Sequence, residues 1–205
     1  MNRSTWIRAA AVLFVAHGAY GWWTDRPVSP PAGVLAPDEP HQQEIADGAA
    51  IVHGRWRLTP RARYEITARV LGRERYAHDS LAALVPVDLA LGWGPMSDDR
   101  VLGSLRVEQS VRYYTVHWGP EPPLPPAEIL RHSANLHAIP ASAALARRLD
   151  GLRVGQIVQL SGELVDGVGD NGAWIRTSLT REDSGPGACE VMLVESVAVM
   201  PTVPR

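Results

Sequence analysis

The stretch "RHSANLHAIPA" places two histidines, a serine and an asparagine within six residues. Histidine serves as a general base or a metal ligand, and serine becomes a nucleophile when a base takes its proton. Ser133 and His137 are four residues apart, which makes them neighbours on a helix. The same spacing suits a polar helix end, in which Asn135 and the histidines satisfy backbone groups before Pro140 stops the helix. Both interpretations stay open.

The spacing of the two histidines argues against a shared metal ion. His132 and His137 are five residues apart, which turns them about 140° apart around a helix. On a strand they would face opposite sides of the sheet. A zinc-binding helix spaces its histidines more closely, on one face. We therefore expect no metal site and no cofactor.

The single cysteine, Cys189, is a second candidate nucleophile. One cysteine cannot form an intramolecular disulfide, so it is either a small buried side chain or a reactive thiol. A cysteine nucleophile needs a base and an orienting amide or acid. His132 or His137, with Asn135 or Asp98, supply those side-chain types.

A structural role for this cysteine competes with that hypothesis. Cys189 opens an alternating run with Val191 and Leu193, which is typical of the inward face of a strand. This pattern predicts a buried, inert thiol that reagents label slowly in the folded protein.

Two loops contribute candidate ligand-binding residues. In "GWGPMSDDR", glycines flank Trp93 and allow close approach to an aromatic floor. Asp98 is either a carboxylate facing that pocket or the N-cap of a helix over 99–105. In "TSLTREDSGPG", Arg181 precedes a glycine-rich turn. Together with Asn135, these residues form the candidate ligand-binding set, and ordinary structural loops are the alternative.

Residues 1–23 are typical of an export signal. Arg3 and Arg8 precede or begin an apolar run, and no acidic residue occurs before Asp25. The apolar stretch from Trp6 to Trp23 nearly reaches the ~20 residues that span a bilayer. We predict an uncleaved signal anchor, with a cleaved signal peptide as the alternative. The arginine bias places the N-terminus in the cytoplasm and the main domain in the periplasm, attached to the bacterial inner membrane.

Composition divides the rest of the chain. Residues 24–50 are rich in proline, which favours extended conformation and predicts a linker. Residues 51–200 carry alternating apolar patterns and predict an exported β-rich domain. Residues 201–205 form a short tail.

Within that domain, alternation predicts strands over "RYEITARVLG", "VDLALGW" and "RVEQSVRYYTVHW". "PAEILRHSANLH" is predicted to be a helix, and Ser142 caps a second helix, "AALARRLD". The C-terminal third predicts three antiparallel strands, with a "GDNG" hairpin and a bend at Gly162. The fold class is therefore α+β and mainly antiparallel β. It is a small curled sheet or half-barrel, of which an OB-like barrel is one form, with two or three short helices and one N-terminal membrane helix.

The net charge of −2 argues against nucleic-acid binding, which requires a basic surface. The leading hypothesis is a membrane-anchored bacterial envelope protein whose β-rich domain binds a protein partner or ligand without catalysis. The alternative is an envelope hydrolase or transferase that uses Cys189 or Ser133 with His132 or His137 and Asp98.

Three motifs, "GWGPMSD", "HSANLHAIPA" and "TREDSGPGACE", resemble those of a group of uncharacterised bacterial envelope proteins with an N-terminal membrane segment. The resemblance covers about Arg61 to Val199. It implies a bacterial origin and an envelope location. It implies no activity, no cofactor and no role for any residue.

Overall fold

The computed structural model describes residues 25–182, 185 and 187–201, with the single positions 6, 12, 14, 18, 21 and 23. The predicted membrane helix lies outside the described residues, apart from those single positions. In the part of the chain that is described, no helix combines the length and the apolar character that a membrane crossing requires.

The described residues form strands and three short helices. The strands are β1 (His41–Glu44), β2 (Ile51–His53), β3 (Trp56–Arg75), β4 (Val87–Gly92), β5 (Leu105–Ser110), β6 (Tyr113–Trp118), β7 (Ser133–Pro140), β8 (Ile157–Gly169), β9 (Trp174–Ile175) and β10 (Glu190–Val199). The helices are α1 (Asp99–Leu102), α2 (Pro126–Arg131) and α3 (Ala143–Asp150). The predicted β-rich fold with short helices is confirmed.

The long strand β3 organises the sheet. Its first part pairs antiparallel with β8, and its last part pairs antiparallel with β4. β4 then pairs with β7, β7 with β10 and β10 with β8, so the pairings form a cycle and the sheet must curl. After β7 the chain passes through α3, β8 and β9, and β10 then lies between β7 and β8, parallel to β7 and antiparallel to β8. The result is a large mixed sheet, curled but not a closed barrel.

The inward face of this sheet forms the main core. In β3, Tyr64, Ile66 and Ala68 are buried in alternation with more exposed neighbours, as the sequence predicts. Trp93 and Leu149 join the same apolar cluster from outside the strands. Each fully buried side chain of Leu or Ile size contributes roughly 1.5–3 kcal/mol, so this face supplies much of the driving force for folding.

Several local predictions are confirmed. Asp98 is the N-cap of α1, and Ser142 is the N-cap of α3. Gly169 to Gly172 form the turn between β8 and β9. Gly162 lies opposite a bulge in β10, where an added Cβ would overlap the carbonyl oxygen of Leu193.

The predicted helix over "PAEILRHSANLH" is wrong in its second half. α2 ends at Arg131, with His132 as its C-cap, and the chain continues as β7. β7 has backbone partners on both sides, β4 and β10, and Ser133–Ile139 is buried throughout. This two-sided pairing outweighs the local helical spacing, because tertiary context overrides intrinsic propensity.

The predicted long strand Arg106–Trp118 is in fact two strands. β5 and β6 pair as a separate two-stranded sheet. Between them, Val111 and Arg112 have φ angles of 50° and 69°. Such left-handed angles define a tight hairpin turn that favours glycine and asparagine. Because neither residue type is present there, alternation alone predicted an uninterrupted strand.

Residues 25–50 contact the domain and differ from the unpacked linker that the prolines predicted. Ala36 is fully buried, and its backbone N–H donates to Oγ of Ser97 at 3.1 Å. β1 pairs with β3, and the Asp25 carboxylate lies 2.8 Å from Nη1 of Arg75. These contacts, and not the prolines alone, hold the segment against the sheet.

Candidate functional site

A polar row lies on the outer face of β7. Alternation along the strand places Ser133, Asn135 and His137 on this face, while the residues between them join the core. The antiparallel register places Asp88 of β4 directly across from His137. The parallel register brings Cys189, one residue before β10, alongside Asn135. Three adjacent strands thus bring these side chains together.

His137 lies between a carboxylate and the thiol. Its Nδ1 is 2.9 Å from Oδ1 of Asp88, an ion-pair distance, although the N–H is not aligned for a hydrogen bond. The Cys189 thiol donates to the Arg112 carbonyl at 3.9 Å and lies near enough to the imidazole to raise the pKa of His137. Burial lowers the pKa of His137, but its contacts with Asp88 and Cys189 outweigh burial and raise the pKa to about 9. The imidazole is therefore protonated at neutral pH.

Arg112 reaches the same carboxylate from the β5–β6 turn. Its Nη1 lies 3.0 Å from Oδ1 of Asp88, and its Nη2 lies 2.8 Å from Oδ1 of Asp79. The guanidinium stacks 3.6 Å from the ring centroid of Tyr76. Hydrogen bonds from Arg112 hold the pKa of Asp79 below its usual range. Asp88 is fully buried, and these cationic partners offset the cost of removing its carboxylate from water.

The side-chain amide of Asn135 faces the thiol. Its Oδ1 accepts a hydrogen bond from Nε2 of Gln109 at 2.9 Å, which fixes the orientation of the amide. Its Nδ2 donates to the Arg112 carbonyl at 3.0 Å and lies 3.7 Å from Sγ of Cys189. Gly72 makes room for Gln109, because an added Cβ would overlap Oε1 of that side chain. The site therefore holds an oriented N–H donor beside the sulfur.

Cys189 borders a cavity instead of lying in the core. It precedes β10 and is partly exposed, so the predicted buried position is wrong. The cavity has a volume of about 270 Å³ and lies between β6, α2 and the loop before β10. Its walls are largely apolar and include Tyr113, Val116, Trp118 and Leu130.

Ser133 is bonded within the fold. Its hydroxyl donates to the carbonyl of Ile129 at 2.6 Å and lies 3.1 Å from the hydroxyl of Tyr114. Burial raises the pKa of Tyr114, so the phenol stays neutral. These contacts link β7 to α2 and β6 and leave Ser133 without a histidine base among its hydrogen-bond partners in the described chain.

Three other predicted site residues lie away from the thiol. Nδ1 of His132 is 2.9 Å from a backbone carbonyl of α2. Asp98 caps α1, and Trp93 is fully buried in the core.

A fourth predicted site residue, Arg181, lines the cavity, and its Nη2 donates to the Pro40 carbonyl at 3.2 Å.

Sequence reasoning missed Asp88, Arg112 and Gln109. The signal for Asp88 was present, because it is a lone carboxylate in an otherwise apolar strand. The alternation of polar and apolar residues from Ser133 to Ala138 was also present, but the helix prediction concealed it. Arg112 had no such signal, because its turn lacks the residues that usually form one.

The site combines a thiol, a protonated imidazole, a buried carboxylate and an oriented amide N–H. These are the groups that nucleophilic catalysis at a carbonyl carbon requires. Among the residues that the structure describes, His, Cys, Asp and Glu side chains form no group of three able to hold a metal ion. Comparisons of this chain with models of protein families, with curated proteins and with solved structures give no match.

Proposed function

We propose that this protein is a cysteine-dependent acyl-transfer enzyme, a hydrolase or transferase that forms a thioester at Cys189. The observation that carries the proposal is that three adjacent strands bring Cys189, His137 and Asp88 together at the edge of a cavity, with His137 2.9 Å from Asp88. A partly exposed thiol beside a protonated imidazole is typical of cysteine nucleophiles. In this arrangement His137 and Asp88 take the roles for which His132 and Asp98 were also candidates.

Acylation begins when the Cys189 thiolate attacks the carbonyl carbon of an ester, thioester or amide. The S–C bond forms, and the C=O electron pair moves onto oxygen, to which Nδ2 of Asn135, 3.7 Å from Sγ, would donate. When the C=O bond re-forms, the bond to the leaving group breaks. His137 gives its proton to the departing atom. Asp88 and Arg112 hold the imidazole in place, and substrate binding brings the loosely aligned contacts into line.

Deacylation reverses these roles. Water or another acceptor attacks the thioester carbon, and neutral His137 takes the proton of the attacking group. The S–C bond breaks and its electron pair returns to sulfur. The thiolate and imidazolium are restored, so atoms, protons and electrons balance over the cycle.

We also propose that the curled sheet is a partly open, OB-like barrel. Five strands pair in the cycle β3–β4–β7–β10–β8 with one parallel pair, and α3 follows β7. OB folds are partly open barrels of five strands. On this interpretation the β5–β6 hairpin is an insertion between β4 and β7 that covers the outer face on which the site lies.

The location proposed for the protein is the periplasmic side of the bacterial inner membrane. Its support is the arginines and apolar run of residues 1–23. A reporter that is active only in the periplasm should be active when fused after Arg205. Activity of the complementary cytoplasmic reporter would contradict this location.

Non-catalytic binding of a ligand or partner is the second candidate function. The specific observation in its favour is the apolar cavity, which suits a ligand whether or not the thiol reacts. The two candidates differ in whether a covalent intermediate forms at Cys189.

Mixing the folded full-length protein with excess p-nitrophenyl acetate separates them. The enzyme proposal predicts a burst of nitrophenol equal to the protein concentration and an acetyl group on Cys189 by peptide mass spectrometry. His137→Gln should slow the burst at least tenfold, whereas the matched variant His132→Gln should keep it. Folded protein that gives no burst and carries no acetyl group at Cys189 would contradict catalysis.

A further inference from the structure

We infer that the cavity beside Cys189 is an acyl-binding subsite for a neutral, apolar acyl group of about nine non-hydrogen atoms or fewer. The inference rests on the proposed function, because it assigns the two sides of the thiol to the two halves of a substrate.

The polar row on β7 runs from the histidine side of the thiol to the cavity side. Along β7, His137 and Ser133 lie on either side of Asn135, each about 7 Å away at the usual rise per residue. The thiol sits beside Asn135, and the cavity extends past Ser133 and Ala134, on the side away from His137. Because His137 must protonate the leaving group, the leaving group lies on the histidine side. The acyl group then lies in the cavity.

The walls of the cavity suit an apolar chain. Tyr113, Trp118 and Leu130 are 47%, 41% and 44% exposed, which is unusual for side chains of this size, and all three border the cavity. Clustered exposed apolar side chains mark binding sites. The hydroxyl groups of Ser133 and Tyr114 are bonded to each other, so they do not require a polar ligand.

The charged residues in the lining are mostly engaged within the protein. Nη2 of Arg181 donates to the Pro40 carbonyl, whereas its Nε is buried without a hydrogen-bond partner. Glu190 is 5% exposed and has a partner within the protein. An ammonium on the acyl group would therefore lose its hydration without gaining a dedicated partner, which is costly. This cost and the apolar walls favour a neutral acyl group.

The volume sets the size of the group. A cavity of about 270 Å³ is smaller than most small-molecule sites, which run from roughly 300 to 1,000 Å³. At about 30 Å³ for each water-sized unit of liquid, it holds about nine such units. That fits a short to medium alkyl chain or one aromatic ring, but not a full-length membrane-lipid chain.

The test uses 1-bromo-2-alkanones, which place a ketone carbonyl beside the thiol and an alkyl chain in the acyl position. Sγ displaces bromide at the adjacent carbon, so an S–C bond forms as the C–Br bond breaks. Modification of Cys189 is followed by intact-protein mass spectrometry. The rate should rise about two- to fourfold for each added methylene until the cavity is full, and then level off.

Two variants probe the wall directly. Val116→Phe and Leu130→Phe each reduce the space in the cavity, so the rate should level off at a shorter chain. The rate with iodoacetamide, which has no chain, should stay within about twofold. Val168→Phe adds the same volume at an exposed position on β8 and should leave the chain-length profile unchanged.

The outcomes distinguish this inference from the function on which it rests. Rapid labelling by iodoacetamide that depends on His137, with no dependence on chain length, would overturn the acyl subsite and leave the enzyme proposal standing. Folded protein that no reagent labels would overturn both.

Discussion

Two hairpin turns of this domain, β8–β9 and β5–β6, reverse the chain with opposite choices of residue. The β8–β9 turn uses Gly172 at φ 81°, and the side chain of Asn171 accepts a hydrogen bond from the Ala173 N–H at 3.1 Å. The β5–β6 turn places Val111 and Arg112 in the left-handed region instead. A β-branched residue with positive φ is a genuine outlier, so the second turn carries strain that the first avoids.

The strained β5–β6 turn places Arg112 in the candidate site. The Arg112 backbone N–H donates to the hydroxyl of Tyr76, and its carbonyl accepts from Asn135. Its guanidinium donates a hydrogen bond to the Asp88 carboxylate on β4. Neither glycine nor asparagine at this position offers that cation. Strain of this kind persists when surrounding contacts over-determine it, and it clusters at functional sites.

The arginine ion pairs beside the two turns should differ most in their contribution to stability. Arg112→Ala leaves the buried Asp88 carboxylate without its guanidinium partner and should cost about 3–5 kcal/mol of unfolding free energy in urea titrations. Arg55, beside the other turn, forms an exposed ion pair with Asp170 at 2.8 Å. Arg55→Ala should leave stability unchanged within error, because exposed ion pairs contribute little. Equal losses in the two variants would show that the Arg112 contacts are as weak as surface ones.

The next effect is the pH dependence of stability. The pKa of His137 is raised to about 9 from an unfolded value near 6.5, so the protonated ring stabilises the folded state. That contribution, on the order of 3 kcal/mol, is complete below pH 6.5 and is lost as the pH rises through 9. His137→Gln should flatten the stability profile in this window. His53→Gln, on β2, is the matched control for the replacement of histidine by glutamine, and an unchanged slope in His137→Gln would contradict the assignment.

Replacements within the two turns should change stability least, through backbone strain alone. Val111 is 77% exposed, so Val111→Asn removes little packing and should stabilise the domain by about 0.5–1 kcal/mol in thermal unfolding. Gly172→Ala meets no atom within 4 Å, yet its positive φ should make it destabilising by about 1 kcal/mol. Changes of the same sign at the two positions would contradict the strain argument.

Features that depend on neighbouring residues could be predicted from the sequence, whereas features that depend on long-range strand pairing could not. The β8–β9 hairpin, the caps at Asp98 and Ser142 and the alternation of β3 follow from local rules, and the structure confirms them. β7 was wrongly predicted as a helix because its burial depends on β4 and β10, which lie far away in the chain. Cys189, His137 and Asn135 were candidates by type.

Their arrangement, however, depends on strand register and on a strained turn. Asp88 becomes a partner of His137 only when β4 pairs with β7. Arg112 reaches that carboxylate only because its turn adopts left-handed angles that its residue types do not signal. Both facts belong to the assembled sheet, which is why the sequence indicated the thiol and the base but not the groups that hold them.

The most direct test of whether Cys189 and His137 act together is the alkylation rate of Cys189 in the folded protein at pH 7. Iodoacetamide should label the parent protein and His132→Gln rapidly and at this single position. His137→Gln should be slower at least tenfold while its unfolded form labels normally, because the neutral amide cannot stabilise the thiolate. If Cys189 in the parent protein reacts only after unfolding, or if His137→Gln labels as fast as the parent, the proposed nucleophile and base do not work together.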